Sequence, residues 1–237
     1  MLRRIRSGEM GHSNQHWLDA FYHFSFAQYE NPDNVQFGAL RVLNDDRVGP
    51  GTGFSAHSHE NMEVLTYVVD GELTHADSMG NRRTLTRGQV QYMSAGTGVT
   101  HSEHNYGHEI LRLLQIWIFP DKQGYPPRYG DQPFEWDARV GNWMPIASGD
   151  GDERFPIQIH ADVHMYAALI LRGDSLSFEV TPGRQAYLVA IEGSAVVNDT
   201  LPLDERDALE ITEESVTVYA ESTAHLLVIE MGKGDSP

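Results

Sequence analysis

Four side chains in this sequence have the types and spacing of a metal site. His57 and His59 lie two apart in Gly51-Thr-Gly-Phe-Ser-Ala-His-Ser-His-Glu-Asn-Met-Glu63. His101 and Glu103 lie two apart in Ser94-Ala-Gly-Thr-Gly-Val-Thr-His-Ser-Glu-His-Asn105. On a β-strand alternate side chains share a face, with their Cα atoms roughly 6–7 Å apart. Each pair can therefore aim two donors at one point, and two such strands facing each other supply three imidazoles and a carboxylate. That set suits a divalent first-row ion: iron, nickel, copper, cobalt, manganese or zinc. On an octahedral ion it leaves two positions free for substrate or oxygen. On tetrahedral zinc it closes the shell and makes a structural site.

Six of the 12 histidines fall between His57 and His108. Strand parity sets His104 on the face opposite His101 and Glu103, so it is not expected to be a ligand. His75, His104 and His108 are near enough in sequence to support the ligands from behind. Parity counted from His59 turns Glu60 outward and Glu63 inward, which makes Glu63 the carboxylate that competes with Glu103. His12, His16, His23, His160, His164 and His225 stand apart from this cluster and are read as ordinary packed or exposed histidines.

These donors need a β scaffold, and the chain reads as all-β. Phe54–His59 alternates, Met62–Val69 is a nearly continuous apolar run, and Asp70-Gly71 marks a hairpin into Glu72–Asp77. Val90–Met93 and Glu109–Pro120 continue the pattern, after a shorter strand at Ala39–Asn44 and an aromatic segment at His16–Phe26. Residues 121–152 are rich in Pro, Gly, Tyr and Trp with little periodicity, as expected of a packed connector. From Arg154 short apolar strands resume at Tyr166–Leu171, Ser175–Val180, Ala186–Ile191, Ser194–Val197, Ala208–Thr212, Ser215–Ala220 and Ala224–Glu230. No long amphipathic helix interrupts them. Regular short strands with turn punctuation imply antiparallel sandwiches or barrels. The expected division is residues 1–120, a connector at 121–152, and residues 153–237.

A weak internal repeat supports two copies of one fold. Tyr67-Val-Val-Asp-Gly71 resembles Val189-Ala-Ile-Glu-Gly193. With these glycines superposed and no gap, His57, His59 and Glu63 fall on Glu179, Thr181 and Gln185, while His101 and Glu103 fall on Thr223 and His225. The second copy thus lacks the ligand set.

The composition excludes several classes. The formal charge is −17, and only Lys122 and Lys233 are lysines. Direct nucleic-acid binding, which needs a basic patch, is not expected. There are no cysteines, so disulfides and thiolate sites are excluded. No apolar run approaches the roughly 18 residues of a membrane span. The basic start, Met-Leu-Arg-Arg-Ile-Arg, has no apolar signal core behind it, so a cytoplasmic protein is expected.

Gly51, His57, His59, Glu63 and Gly71 resemble the first motif of the cupin superfamily, with one extra residue before the last glycine. Gly88, Gly96, His101 and Asn105 resemble the second, with Ser94 in place of its proline. The Ser-Ala-Gly-x-Gly-x-x-His-x-Glu pattern at Ser94–Glu103 and the His-Trp-Leu-Asp segment at His16–Asp19 are similar to those of the pirin family of two-domain cupins. The resemblance covers nearly the whole chain. It implies two antiparallel cupin jelly-roll β-barrels in tandem. It also implies one divalent metal, Fe(II) ahead of the others, held in the first barrel by His57, His59, His101 and Glu103, and a second barrel without ligands. Carrying the carboxylate in the second motif favours Glu103 over Glu63.

For function the resemblance implies quercetin 2,3-dioxygenase-like activity on a flavonol or another enolisable aromatic, with O₂ as co-substrate. Glu103 would accept the proton of the substrate's hydroxyl, and the heterocycle would open with loss of carbon monoxide. Connector aromatics would form part of the pocket wall. The competing expectation is a metal- or redox-dependent regulatory module that binds a protein partner without turnover. A metal-free epimerase or isomerase, also known among cupins, would have no reason to gather these four donors.

Overall fold

The computed structural model describes residues 1–234, and almost all of its regular structure is β. The first strands are β1 (Leu2–Ile5), β2 (Gly11–Asn14), β3 (Leu18–Tyr22), β4 (Leu40–Val48), β5 (Thr52–His59) and β6 (Glu63–Asp70). Next come β7 (Glu72–Asp77), β8 (Arg82–Thr86), β9 (Val90–Ser94), β10 (Val99–Asn105), β11 (Leu111–Ile118) and β12 (Arg128–Gln132). The later strands are β13 (Met144–Ser148), β14 (Ile157–Gln158), β15 (Val163–Ile170), β16 (Ser175–Phe178) and β17 (Arg184–Glu192). The last are β18 (Ala195–Val197), β19 (Leu201–Leu203), β20 (Ala208–Thr212), β21 (Val216–Ala220) and β22 (Ala224–Gly232). Helix among the described residues is limited to two short 3₁₀ turns, Ser7–Glu9 and Trp136–Arg139. No described helix is long and apolar enough to cross a membrane.

The chain divides into two compact units. One comprises Gly11–Glu135 with Ile159–Ala161, and the other Met1–Met10, Trp136–Gln158 and the chain from Asp162 onward. Residues 121–152 are thus shared between the units at Glu135 and Trp136. Within that stretch, β12 pairs with β9 and β13 pairs with β15.

The unit containing the histidine segments is built from two antiparallel sheets, β12-β9-β6-β11-β4-β3-β2 and β5-β10-β7-β8. Leu18, Val48, Val68, Leu111 and Leu113 of the larger sheet pack with Leu73 and Leu85 of the smaller one. This is the expected jelly roll, built as two facing sheets and not as one closed ring of hydrogen bonds. Burial of about 25 cal/mol per Å² of apolar surface holds the sheets together, and period-2 alternation decides which residues contribute. Along β10, Val99, His101, Glu103 and Asn105 are buried and the residues between them are not.

The larger sheet's inner face has a polar stripe. Asn44 of β4 pairs in register with Gln115 of β11, Gln115 with Thr66 of β6, and Thr66 with Gln91 of β9. Along the strands the stripe has apolar residues on both sides. Val68 and Leu113 lie in one cluster, Val64 and Met93 in a second, with Trp117 packed against the second.

The other unit repeats the topology with β1-β20-β17-β22-β15-β13-β14 and β16-β21-β18-β19. Gly71 joins β6 to β7 and Gly193 joins β17 to β18, both at φ near +80°. A Cβ on Gly71 would lie 2.7 Å from Ile110 O, and one on Gly193 would lie 2.1 Å from Thr223 O. The two glycines are therefore equivalent, but the ungapped superposition beyond them fails. Thr223, at the entry to β22, matches Ile110 at the entry to β11. The strand matching His101–Glu103 is β21, because the second copy is shorter between these points. Its interior is apolar: Phe178, Val216, Val218 and Ala220 pack with Leu188, Leu209 and Leu226 where the first unit has its polar groups.

Candidate metal centre

β5 and β10 bring the two histidine segments together. In their antiparallel register His101 stands opposite His57, and Val99 opposite His59. His57 Nε2 and His101 Nε2 are 3.1 Å apart. Two imidazole nitrogens bound to one ion at about 2.0–2.1 Å would be about 2.8–3.4 Å apart, from right-angle to tetrahedral geometry, and the observed spacing lies within that range. The ring of His59 is 4.9 Å from each of the other two. The ligand atoms of His57, His59 and His101 lie within 4.8 Å of one another.

Protonation favours ligation. Burial, and then the neighbouring His57, lower the His59 pKa to about 4. Burial, and then His57, His59 and His75, lower that of His101 to about 3. Both rings are neutral near neutral pH, as metal ligands must be. His57 Nδ1 donates to Ser55 O at 2.8 Å, which orients the ring with Nε2 toward His101. His59 Nε2 is buried with no hydrogen-bond partner. A buried polar atom without a partner is costly, and an ion at the cluster would satisfy it.

Glu103, two residues along β10 from His101, is buried. Its Oε1 accepts from Thr66 Oγ1 at 3.0 Å and Gln91 Nε2 at 2.6 Å, and its Oε2 accepts from Gln115 Nε2 at 2.6 Å. An ionised carboxylate has about four lone-pair sites, so three donors leave one. Burial pushes its pKa up, against the opposing effects of the Thr66 hydrogen bond, His75 and the Gln115 hydrogen bond. Its ligand atom groups with those of His101 and His75, all within 4.8 Å. The four donors named from the sequence thus fall into two groups that share His101, and His75 joins the second. His75 is fully buried, bonds Asp77 Oδ2 through Nε2 at 3.0 Å, and stacks on Tyr129 at 4.2 Å.

Glu63 lies elsewhere. It accepts from Ser94 Oγ at 2.6 Å and enters neither group among the described residues. The parity count failed because β5 ends at His59 and Asn61 takes φ +48° before β6 begins. His104 is half-buried and stacks on Tyr106, outside both groups.

A cavity of about 230 Å³ opens beside the centre, lined by His57, Glu103, Gln115, Phe26, Phe54 and Trp117 among others. Its aromatic wall comes from these last three residues and not from the stretch 121–152. A register shift between His101 and Glu103 sets Glu103 opposite Phe54. That bulge turns Phe54 to the cavity side with His57, although the two differ in parity. Trp117 meets His59 edge-on at 4.7 Å.

Sequence reasoning missed Thr66, Gln91 and Gln115. The signal was present: each is a polar residue flanked by apolar side chains within its strand.

Residues 4–118 match the family described as Pirin, and residues 145–231 match the Quercetinase C-terminal cupin domain. A pirin-like protein of Caulobacter vibrioides is 39% identical over 97% of this chain and 99% of its own length. The quercetin 2,3-dioxygenase of Escherichia coli K12 is 36% identical over 98% of this chain and 99% of its own. The crystal structure of the Escherichia coli bacterial pirin YhhW in complex with nickel(II) superposes with a TM-score of 0.91. It is 35% identical, with 98% of this chain and 99% of that one covered. With both halves matched and relatives this similar along the whole length, the chain belongs to the pirin family.

Proposed function

We propose that this protein is a metal-dependent dioxygenase that cleaves a flavonol such as quercetin, or another enolisable aromatic, with O₂. The observation that carries the reading is the convergence of three imidazoles beside a buried carboxylate, at the wall of an aromatic-lined cavity. Relatives named for quercetin 2,3-dioxygenase support the reaction, and the nickel(II) complex of YhhW supports a single divalent ion.

His57, His59, His101 and Glu103 would hold the ion, with Fe(II) the first candidate and nickel, copper, cobalt, manganese or zinc as alternatives. When bound it supplies Lewis acidity to a substrate hydroxyl. The protein does the remainder. Phe26, Phe54 and Trp117 clamp a flat ring and exclude water. Glu103, fixed by Thr66, Gln91 and Gln115, accepts the proton of the substrate hydroxyl. A carboxyl raised by burial is suited to that role. The resulting enolate reacts with O₂; both oxygen atoms enter the product, and one ring carbon leaves as carbon monoxide.

The test is an oxygen-electrode assay of the protein loaded separately with each of the six metals, with quercetin as substrate and carbon monoxide measured in the headspace. Oxygen uptake matched by carbon monoxide release is expected with at least one metal. No uptake with any of them would overturn the reading.

A further inference from the structure

Two more polar side chains face the cavity from the larger sheet, opposite His57. Asn44 and Asp46 are each 3% exposed, lie two apart on β4 and line the same cavity as Glu103. Asn44 Oδ1 and Asp46 Oδ1 have no hydrogen-bond partner, and neither does Trp117 Nε1 in the same wall. The neighbouring Asp45 shows what a satisfied carboxylate looks like on this strand. It faces the other side of the sheet and takes a two-pronged bond from Arg112, at 2.9 and 2.6 Å. Buried polar groups without partners are rare in native proteins, and where several line one cavity a ligand is the economical explanation.

We propose that Asn44 and Asp46 form a hydrogen-bonding subsite for further hydroxyl groups of the aromatic substrate, beyond the hydroxyl that reaches the metal centre. The inference rests on reading this cavity as the substrate chamber, and it narrows the substrate class to polyhydroxylated aromatics. Two acceptors at adjacent inward positions, about 6–7 Å apart along the strand, match hydroxyl donors on one flat ring system. Trp117 Nε1 supplies a donor to an oxygen of the same molecule. Burial, and then the charges of Asp45 and Glu103, push the Asp46 carboxyl well above its ordinary range. A cavity of about 230 Å³ is small beside the roughly 300–1,000 Å³ of common ligand sites, which favours a compact ligand held by directed bonds.

The test compares quercetin with 3-hydroxyflavone, which keeps the hydroxyl next to the carbonyl and lacks the others. Dissociation constants are measured by fluorescence quenching on the nickel(II)-loaded protein without oxygen. The unaltered protein is expected to prefer quercetin by about tenfold, the worth of one or two hydrogen bonds to groups otherwise left unpaired. In the double variant Asn44→Leu/Asp46→Leu, with metal content and melting temperature retained, the preference should fall to about unity. If the double variant does not fold, Asn44→Leu alone should still lower the preference by about threefold. A preference unchanged in a folded variant, or no preference in the unaltered protein, overturns the subsite. Turnover failing while the binding contrast persists would sink the dioxygenase reading alone. Turnover persisting while the contrast is absent would sink the subsite alone.

Discussion

Gln115 Nε2 donates to Glu103 Oε2 at 2.6 Å, a bond from the inner face of the larger sheet to the inner face of the smaller one. Thr66 and Gln91, Gln115's neighbours along the polar stripe, bond the other oxygen. The stripe therefore orients the carboxylate from behind, as outer partners of metal ligands do. Replacing Gln115 by Leu leaves Glu103 in place but frees it to rotate. Metal affinity or activity should fall about 10- to 100-fold, with little change in melting temperature of the metal-free protein. Competition titration with a chelating dye measures it, and an unchanged affinity would show that the stripe serves packing alone.

Metal binding should stabilise the unit that holds the site. At nickel(II) about 100-fold above its dissociation constant the gain is about 2.7 kcal/mol, visible as a raised thermal transition. His101 belongs to both ligand groups, so His101→Ala should abolish the rise. A variant that keeps the full shift would place the ion elsewhere.

The gathering of His57, His59 and His101 was legible because strand parity is a local rule, and the pairing of β5 with β10 sets His101 opposite His57. The rule failed at Glu63, where Asn61 reverses the backbone between two strands. It would also have misplaced Phe54, which the bulge opposite Glu103 re-aims. The polar stripe was hidden for a different reason. Asn44, Thr66, Gln91 and Gln115 are far apart in sequence and become neighbours only through the strand order β9-β6-β11-β4. The repeat was legible at Gly71 and Gly193, where the backbone makes the same turn. It was lost beyond them because the second copy is shorter.

Those two glycines carry a prediction of their own. Each has φ near +80°, and an added Cβ would meet a backbone carbonyl at the entry to β11 or β22. Gly71→Ala and Gly193→Ala should each cost at least about 1–3 kcal/mol, from the left-handed backbone and the enforced separation of strands. Gly71→Ala should also weaken nickel(II) binding, because it disturbs the unit that holds the site, while Gly193→Ala should not. Chemical denaturation combined with metal titration separates the two. Equal effects of both variants on metal affinity would contradict the assignment of the site to one unit.

The second unit supplies a pH prediction. His164 Nδ1 bonds Glu230 at 2.9 Å and its Nε2 bonds Asp150 at 2.9 Å. The Glu230 bond, against burial and with help from Asp150, raises the His164 pKa above its ordinary value. Its partners shift the other way. The His164 bond lowers Asp150 to about 2, and at Glu230 the Arg184 and His164 bonds together outweigh burial. A histidine raised in the folded state contributes stability that is whole below the unfolded value of about 6.5 and fades as pH rises through the folded value. His164→Ala should therefore lower the melting temperature more at about pH 5.5 than at a pH above the raised folded value, where that contribution has faded. A pH-independent loss would mean that the ring acts through packing against Phe155, 5.3 Å away, and not through its charge.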